Sequence, residues 1–243
     1  MHVTIYPSAD RASRAAADVL AGWLTDARTL VVAGGNSPRK LYRLVAELRP
    51  PVDQLHVFTL DEYLGVPVEH PGTCANLLRR EVADAWGVPV DWFHWLSSRL
   101  EDAPAGIAEH ERKLAALGGI DAVVLGLGKN GHLGFNEPGS SPDSLGRVLD
   151  LTPTSIAANA EWFGGEYAPD KGVTLGLGTL LAARRVLLVA FGPAKADAVH
   201  DALVTAPFHG CPASWLQRHF EARLFLDEAA AARLPSHRCR RRN

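Results

Sequence analysis

The chain has 243 residues, of which 47% are hydrophobic and 21% are charged, a composition that suits a globular protein with a sizeable core and excludes collagen-like and disordered chains. Lysine and arginine number 25 against 27 aspartate and glutamate, a formal net charge of -2. No bulk positive field is therefore available for non-specific binding to nucleic acid.

Apolar, β-rich runs alternate along the chain with helical patterns. The runs predict strands at residues 3–6, 30–33, 55–60, 122–127, 173–177, 186–191 and 223–226. Helices are predicted between most of them, at residues 8–26, 38–47, 73–86, 104–117, 179–183 and 193–204. This order is typical of a sheet whose strands are joined by helical crossovers.

The runs at residues 30–33 and 186–190 are apolar without alternation, as expected when helices cover both faces of a parallel sheet. We therefore predict an α/β fold with a single doubly wound, Rossmann-like and mostly parallel sheet. No internal repeat or long linker divides the chain, so residues 1–235 are predicted to form one domain. Residues 236–243 are rich in arginine and are predicted to be a solvated, disordered tail.

The location of the protein is expected to be the cytoplasm, since the N-terminal residues lack the features of a signal peptide and no segment approaches the ~18 apolar residues of a membrane span. Cys74, Cys211 and Cys239 cannot all pair, which fits a reducing compartment. None of them has a metal-binding spacing. We expect no metal and no membrane partner.

Polar sequence follows three of the predicted strands, and ligands of doubly wound sheets bind at such strand ends. The first case is a turn at Gly34, Gly35, Asn36 and Ser37, followed by a helix that starts at Pro38. Two glycines let backbone N–H groups approach an anion, and the helix N-terminus adds a positive dipole. The turn is predicted to bind phosphate, although a plain strand-to-helix turn has the same features.

The second strand end carries two adjacent carboxylates, Asp61 and Glu62. A carboxylate at the end of a buried strand can be partly desolvated, which tunes its pKa for work as a base. Capping of a helix or plain solvation would explain an isolated Asp-Glu pair equally well. Asp61 is therefore a candidate base only if it reaches over the ligand.

The third strand end has five glycines among the fourteen residues 126–139. Tight backbone turns of this kind surround His132 and Glu137. A histidine can shuttle a proton near neutral pH, and a carboxylate five residues later could orient it or stabilise its charged form. A single histidine is more often structural, but within this density of glycines at a strand end we interpret His132 as a catalytic acid or base and Glu137 as its partner.

Taken together, these segments resemble the glucosamine-6-phosphate deaminase (isomerase) family, whose superfamily also contains 6-phosphogluconolactonases. The resemblance covers nearly the whole chain and is most specific in Leu60-Asp61-Glu62-Tyr63, in Gly128-Lys129-Asn130-Gly131-His132 and in Phe135-Asn136-Glu137-Pro138. A lactonase would be expected to read Asp-Glu-Arg at the second strand end and to lack the last phrase. The deaminase branch therefore fits better.

The resemblance implies the conversion of glucosamine 6-phosphate and water to fructose 6-phosphate and ammonia, without a cofactor. Asp61 then matches the base that moves a proton between C2 and C1, and His132 matches the group that opens the pyranose ring. Glu137 matches its carboxylate partner, and Asn130 stands where some members carry an aspartate. Lys195 matches one of the family's phosphate cations. The family contains monomers and hexamers, and the sequence leaves both states open.

One position departs from the family pattern. Glu161 stands where the family places an arginine that clamps the substrate phosphate, and a carboxylate there repels a dianion. Arg39 or Lys40, just past the turn, could compensate for the missing arginine by supplying a positive charge to the phosphate. The alternatives are a divergent member that acts on another, unphosphorylated or cationic amino sugar, a lactonase, and a sugar-phosphate-binding regulator without catalysis. The last is disfavoured because Asp61, His132 and Glu137 are all present.

Overall fold

A central sheet of eight parallel strands runs through the protein. The computed structural model describes residues 1–235 and the backbone of residues 240–241. The strands of this sheet are β1 (His2–Tyr6), β2 (Thr29–Val32), β3 (His56–Thr59), β5 (Phe93–His94), β6 (Ala122–Gly126), β9 (Arg185–Ala190), β10 (Ala222–Asp227) and β11 (Arg240–Arg241). Their order across the sheet is β11-β1-β10-β9-β6-β2-β3-β5, and every neighbouring pair is parallel.

Helices cover both faces of this sheet. They are α1 (Ala9–Trp23), α2 (Arg39–Leu48), α3 (Cys74–Leu78), α4 (Ala103–Ala116), α5 (Pro153–Trp162), α6 (Leu177–Leu181) and α7 (Ala196–Leu203). The helices α1, α2 and α3 pack on one face, and α4, α6 and α7 pack on the other. The predicted doubly wound α/β fold is confirmed.

The sequence of the strands explains the two-sided packing. In β2, Leu30 and Val32 belong to the core beneath α1 and α2, whereas Val31 belongs to the core beneath α4. All three side chains are fully buried. Because successive side chains of a strand point to opposite faces, a strand covered on both sides needs apolar residues at every position.

A second, smaller sheet was not foreseen from the sequence. It consists of three antiparallel strands in the order β4 (Asp61–Tyr63), β8 (Lys171–Thr174) and β7 (Arg147–Asp150). The run at residues 173–177 was expected to join the parallel sheet, but it pairs with β4 instead. The chain turns out of the main sheet at Leu60, whose carbonyl accepts a hydrogen bond from the N–H of Leu175 at 2.9 Å.

The helix predicted at residues 73–86 is interrupted. After α3 the chain continues as a π-helical segment, Arg79–Asp84. Three short 3-10 segments, Val90–Trp92, Pro193–Lys195 and Pro212–Arg218, complete the regular structure. In the described part of the chain, no helix combines the length and the apolarity that crossing a bilayer requires.

The basic tail is described only at two positions. Arg240 and Arg241 pair in parallel with Thr4 and Ile5 of β1, which otherwise offers free backbone groups at the sheet edge. Residues 236–239 and 242–243 lie outside the described residues, and the expectation for them stays a prediction.

Candidate active site

A cleft of about 580 Å³ opens at the carboxyl edge of the main sheet. It lies over the ends of β2 and β6, which are neighbours in the sheet. After β2 the strands β3 and β5 are added on one side of this pair, and after β6 the strands β9 and β10 are added on the other side. Ligands of doubly wound sheets bind at this kind of switch point. The cleft is lined by the predicted site residues Gly34, Gly35, Asn36, Ser37, Asp61, Asn130, His132, Glu161 and Lys195.

The glycine-rich turn forms the floor of the cleft between β2 and α2. Gly35 has a positive φ of 86°, a conformation that glycine adopts without strain. A side chain at Gly34 would also be crowded, since its Cβ would lie 3.0 Å from the Sγ of Cys74. Asn36 and Ser37 then face the cleft just before α2 begins, so both backbone and side-chain donors are available to an anion.

The two adjacent carboxylates at the start of β4 have different environments. Glu62 is fully buried, and its oxygens accept hydrogen bonds from the N–H groups of Tyr63 at 2.8 Å, Cys74 at 2.9 Å and Ala75 at 2.8 Å. Burial raises its pKa to about 8, against the effect of these three donors. Glu62 therefore ties β4 to the first turn of α3.

Asp61 faces the cleft instead and is only 7% exposed. Burial raises its pKa to about 6, although a hydrogen bond with the Cys74 thiol and the charge of His132 lower it. A carboxylate with such a pKa is ionised at neutral pH and is more basic than a solvated aspartate. Asp61 thus has the location and the basicity that a general base needs.

His132 is held by a tight turn after β6. The N–H of Gly128 donates to the carbonyl of His132 at 3.0 Å, and Gly131 has a positive φ of 82°. The imidazole packs directly on Gly128, because a Cβ at that position would lie 2.3 Å from Cδ2 of the ring. The glycines therefore make room for the ring and fix its place in the cleft.

Glu137 lies behind His132 and is 5% exposed. Its Oε2 is 3.5 Å from Nδ1 of His132 and accepts a hydrogen bond from Nδ2 of Asn130 at 2.8 Å. Its Oε1 accepts the hydroxyl of Ser155 in α5. Burial disfavours the charged carboxylate. The interactions with His132, Ser155 and Asn130 outweigh this effect and lower the pKa of Glu137 to about 2. With Nδ1 turned to this carboxylate, Nε2 is the nitrogen left to act on a ligand.

The Ser155 hydroxyl is expected to stabilise the fold through Glu137. Replacing Ser155→Ala should lower the free energy of unfolding at pH 7 by about 1.5–3 kcal/mol, the usual range for a hydrogen bond to a charged group. Because the folded state depresses the pKa of Glu137 below 4.5, this deficit should be complete above that pH and shrink as the pH falls toward 2. Urea unfolding at several pH values measures it.

Ser13 offers a matched control for this measurement. It is also a buried serine, 1% exposed, but its hydroxyl has no hydrogen-bond partner in the described chain. Ser13→Ala removes an unpaired buried hydroxyl, so it should not lower the free energy of unfolding at any pH. Equal losses in the two variants would mean that the Ser155 hydroxyl contributes nothing through Glu137.

Two lysines supply the positive charge of the cleft. Lys195 lies in the 3-10 turn after β9, and Lys129 lies in the glycine-rich loop after β6. Arg39 and Lys40 do not line the cleft. The Nε of Arg39 donates a hydrogen bond to Oε1 of Glu81 at 2.7 Å, and Lys40 forms a salt bridge with Asp10. The expectation that Arg39 or Lys40 could compensate for Glu161 is therefore wrong, because α2 directs both toward acidic partners elsewhere.

Comparison with known proteins identifies the family. The sequence model of the glucosamine-6-phosphate isomerases/6-phosphogluconolactonase family matches residues 7–225. The chain belongs to this family.

No group of three or more histidine, cysteine or acidic side chains in the described part of the chain is arranged to hold a metal ion.

Relatives within the family cover almost the whole chain. The glucosamine-6-phosphate deaminase of Streptomyces avermitilis is 39% identical over 96% of this chain and 93% of its own length. A solved monomeric glucosamine-6-phosphate deaminase has a TM-score of 0.90 at 28% identity, covering 96% of this chain and 99% of that one. The 6-phosphogluconolactonase of Trypanosoma cruzi, at 22% identity and a TM-score of 0.78 over 96% of both chains, shares the fold.

One wall of the cleft in this family member is α5, which was not predicted as a helix. Thr152 caps it by accepting a hydrogen bond from the N–H of Ser155, and Pro153 occupies its first turn. The indole Nε1 of Trp162 donates to the carbonyl of Gly72 at 2.9 Å, which fixes the far end of the helix. The Thr-Pro pair is a helix-start signal that was available in the sequence.

Glu161 lies in the last turn of α5 and lines the cleft with an exposed side chain. Its carboxylate makes no ion pair with any residue that the structure describes. Sequence reasoning foresaw this acidic group but missed Ser155 and Lys129, which also face the cleft. Lys129 stands in the same glycine-rich phrase as His132, so its position beside the histidine was the available signal.

Proposed function

We propose that this protein is a glucosamine-6-phosphate deaminase, which converts glucosamine 6-phosphate and water to fructose 6-phosphate and ammonia. The observation that carries the proposal is that Asp61 and His132, with Glu137 behind the ring, share one cleft in a chain of this family. The relatives at 37–42% identity bear this name. The substrate is thus a phosphorylated amino sugar, and no cofactor takes part.

In the proposed mechanism Nε2 of His132 takes the proton of the anomeric hydroxyl and delivers it to the ring oxygen, so that the bond from C1 to the ring oxygen breaks and the pyranose opens. The charge that develops on the imidazole during proton exchange is stabilised by Glu137, which stays ionised because its pKa is lowered to about 2. Asn130 and Ser155 hold that carboxylate in place. Ring opening exposes the C1 aldehyde and makes the C2 hydrogen acidic.

Asp61 then removes the proton from C2 and returns it to C1, which turns the open-chain amino aldehyde into an enolamine and then into the imine of the ketose. One base on one face of the substrate is sufficient for both transfers. Water adds to C2 of the imine, and the C–N bond breaks as ammonia leaves. The atoms balance with water as the second substrate.

The phosphate group is proposed to lie on the turn formed by Gly34, Gly35, Asn36 and Ser37. Backbone N–H groups next to a helix N-terminus are suited to bind it, and Lys195 in the same cleft adds a positive charge. Glu161 lines the same cleft, and its negative charge opposes phosphate binding.

The activity is tested by the release of ammonia and fructose 6-phosphate from glucosamine 6-phosphate, measured beside unphosphorylated glucosamine. We expect turnover of the phosphorylated sugar. Acid production from 6-phosphogluconolactone without ammonia release would show a lactonase, and binding without turnover would show a regulator. Either result would overturn the proposal.

The unpaired carboxylate of Glu161 favours a second candidate, deamination of a different amino sugar that is unphosphorylated or carries a cationic group. An acidic side chain in the cleft attracts a cation and repels a phosphate. Faster turnover of glucosamine than of glucosamine 6-phosphate would support this candidate.

Replacing Glu161→Arg is expected to lower the KM for glucosamine 6-phosphate by about tenfold or more, because it exchanges repulsion for a charge-assisted contact with the phosphate. The KM for unphosphorylated glucosamine should change little. Steady-state kinetics with both sugars measures the difference, and Glu161→Gln should fall between the wild type and Glu161→Arg. Equal changes for both sugars would mean that Glu161 does not face the phosphate.

We also propose that the enzyme works in the cytoplasm. Cys74 and Cys211 are buried free thiols, which suits a reducing compartment. The expectation of no nucleic-acid partner fits the small net charge.

A further inference from the structure

Two lysines face the same cleft. Lys129 is exposed at the rim and Lys195 is half-buried. Neither forms an ion pair with any described residue, whereas Arg39 and Lys40 are both paired outside the cleft. The two lysines are therefore the cations of this region that a ligand can recruit without breaking an ion pair.

The sheet brings these lysines together. Lys129 follows β6 and Lys195 follows β9, and these strands are direct neighbours in parallel register, with Gly126 opposite Val189. Burial lowers the pKa of Lys195, and the charge of Lys129 lowers it further. Their ammonium groups thus lie close enough to repel each other.

An anion with two negative charges offsets the repulsion between two cations, since it attracts both of them at once. A phosphate monoester is dianionic near neutral pH. Glu161 in α5 opposes such a ligand, and with Lys195 alone the two side-chain charges would cancel. With Lys129, the three side chains together carry a net charge of +1.

We propose that Lys129 is a specificity-determining residue, whose ammonium binds the substrate phosphate together with Lys195 and so offsets the carboxylate of Glu161. This rests on the proposed deamination of a phosphorylated amino sugar in the same cleft. The residue contacts the non-reacting end of the substrate, so its contribution is to binding and not to proton transfer.

Replacing Lys129→Met tests the inference, because methionine has a side chain of similar length without the positive charge. The KM for glucosamine 6-phosphate should rise about tenfold or more, while kcat stays within about threefold. Turnover of unphosphorylated glucosamine, where measurable, should not change. Lys129→Arg should restore most of the affinity. Lys40→Met is the control, since Lys40 lies outside the cleft and its loss should leave KM unchanged.

Inorganic phosphate provides a readout that does not depend on turnover. Its Kd, from calorimetry or from protection against thermal unfolding, should weaken about tenfold in Lys129→Met and stay unchanged in Lys40→Met. A wild type that binds phosphate through Lys129 but releases no ammonia would defeat the proposed function and leave the phosphate site standing. A wild type that deaminates the sugar, with the same KM and phosphate Kd in Lys129→Met, would overturn the inference about Lys129.

Discussion

Replacing Asp61→Asn is expected to abolish the exchange of the C2 hydrogen of glucosamine 6-phosphate with solvent, while substrate binding stays largely intact. Asparagine has the same shape as aspartate but cannot accept the C2 proton. Loss of a positioned general base lowers the rate by about 10²–10⁴-fold. The wild-type activity should likewise fall as the pH drops through about 6, because Asp61 is then protonated.

The same substitution is expected to make the protein more stable. Folding raises the pKa of Asp61 from 3.8 to about 6 because the carboxyl is buried, so the ionised group destabilises the folded state. This penalty is absent below pH 3.8 and complete above about pH 6. At about 1.4 kcal/mol per pH unit, its upper limit is about 3 kcal/mol at pH 7. An uncharged amide removes it.

Proton NMR of the sugar in deuterated water measures the exchange, and urea unfolding at pH 7 measures the stability. Asp18→Asn is the matched control, because Asp18 is an exposed residue of α1 and should change neither quantity. Retained exchange at C2 in Asp61→Asn would remove Asp61 from the base role. Lower stability at pH 7 would contradict the account of its buried charge.

Replacing His132→Gln is the second change with a large expected effect. Glutamine cannot deliver a proton to the ring oxygen, so kcat for glucosamine 6-phosphate should fall by about 10²–10⁴-fold. Ring opening would then be slow compared with proton transfer at C2. The isotope effect of deuterium at C2 on kcat should therefore shrink in this variant.

The measurement compares kcat for the 2-deuterated and unlabelled sugars in the wild type and in His132→Gln. Glu137→Gln should change kcat in the same direction by a smaller factor, since it removes the charge behind the imidazole and keeps the ring. A larger isotope effect in His132→Gln would place the histidine at the C2 step, and an unchanged kcat would exclude it from the reaction.

Much of the fold is predictable because its signals are local. The unbroken apolar runs of β2 and β9 reflect the cover on both faces of the sheet, and the polar phrases directly after β2 and β6 mark the carboxyl edge where a doubly wound sheet binds ligands. The small antiparallel sheet was missed because its strands are short and pair across long separations, as Asp61 does with Thr174.

The sequence by itself determined the α/β class, the glycine-rich strand ends and the candidate acids and bases, since each of these follows from neighbours along the chain. Only the tertiary structure decided which of two adjacent carboxylates faces the cleft. It also paired Arg39 with Glu81, 42 residues away, and Ser155 with Glu137, 18 residues away. Such contacts depend on how separate elements pack, and no local pattern of residues records that packing.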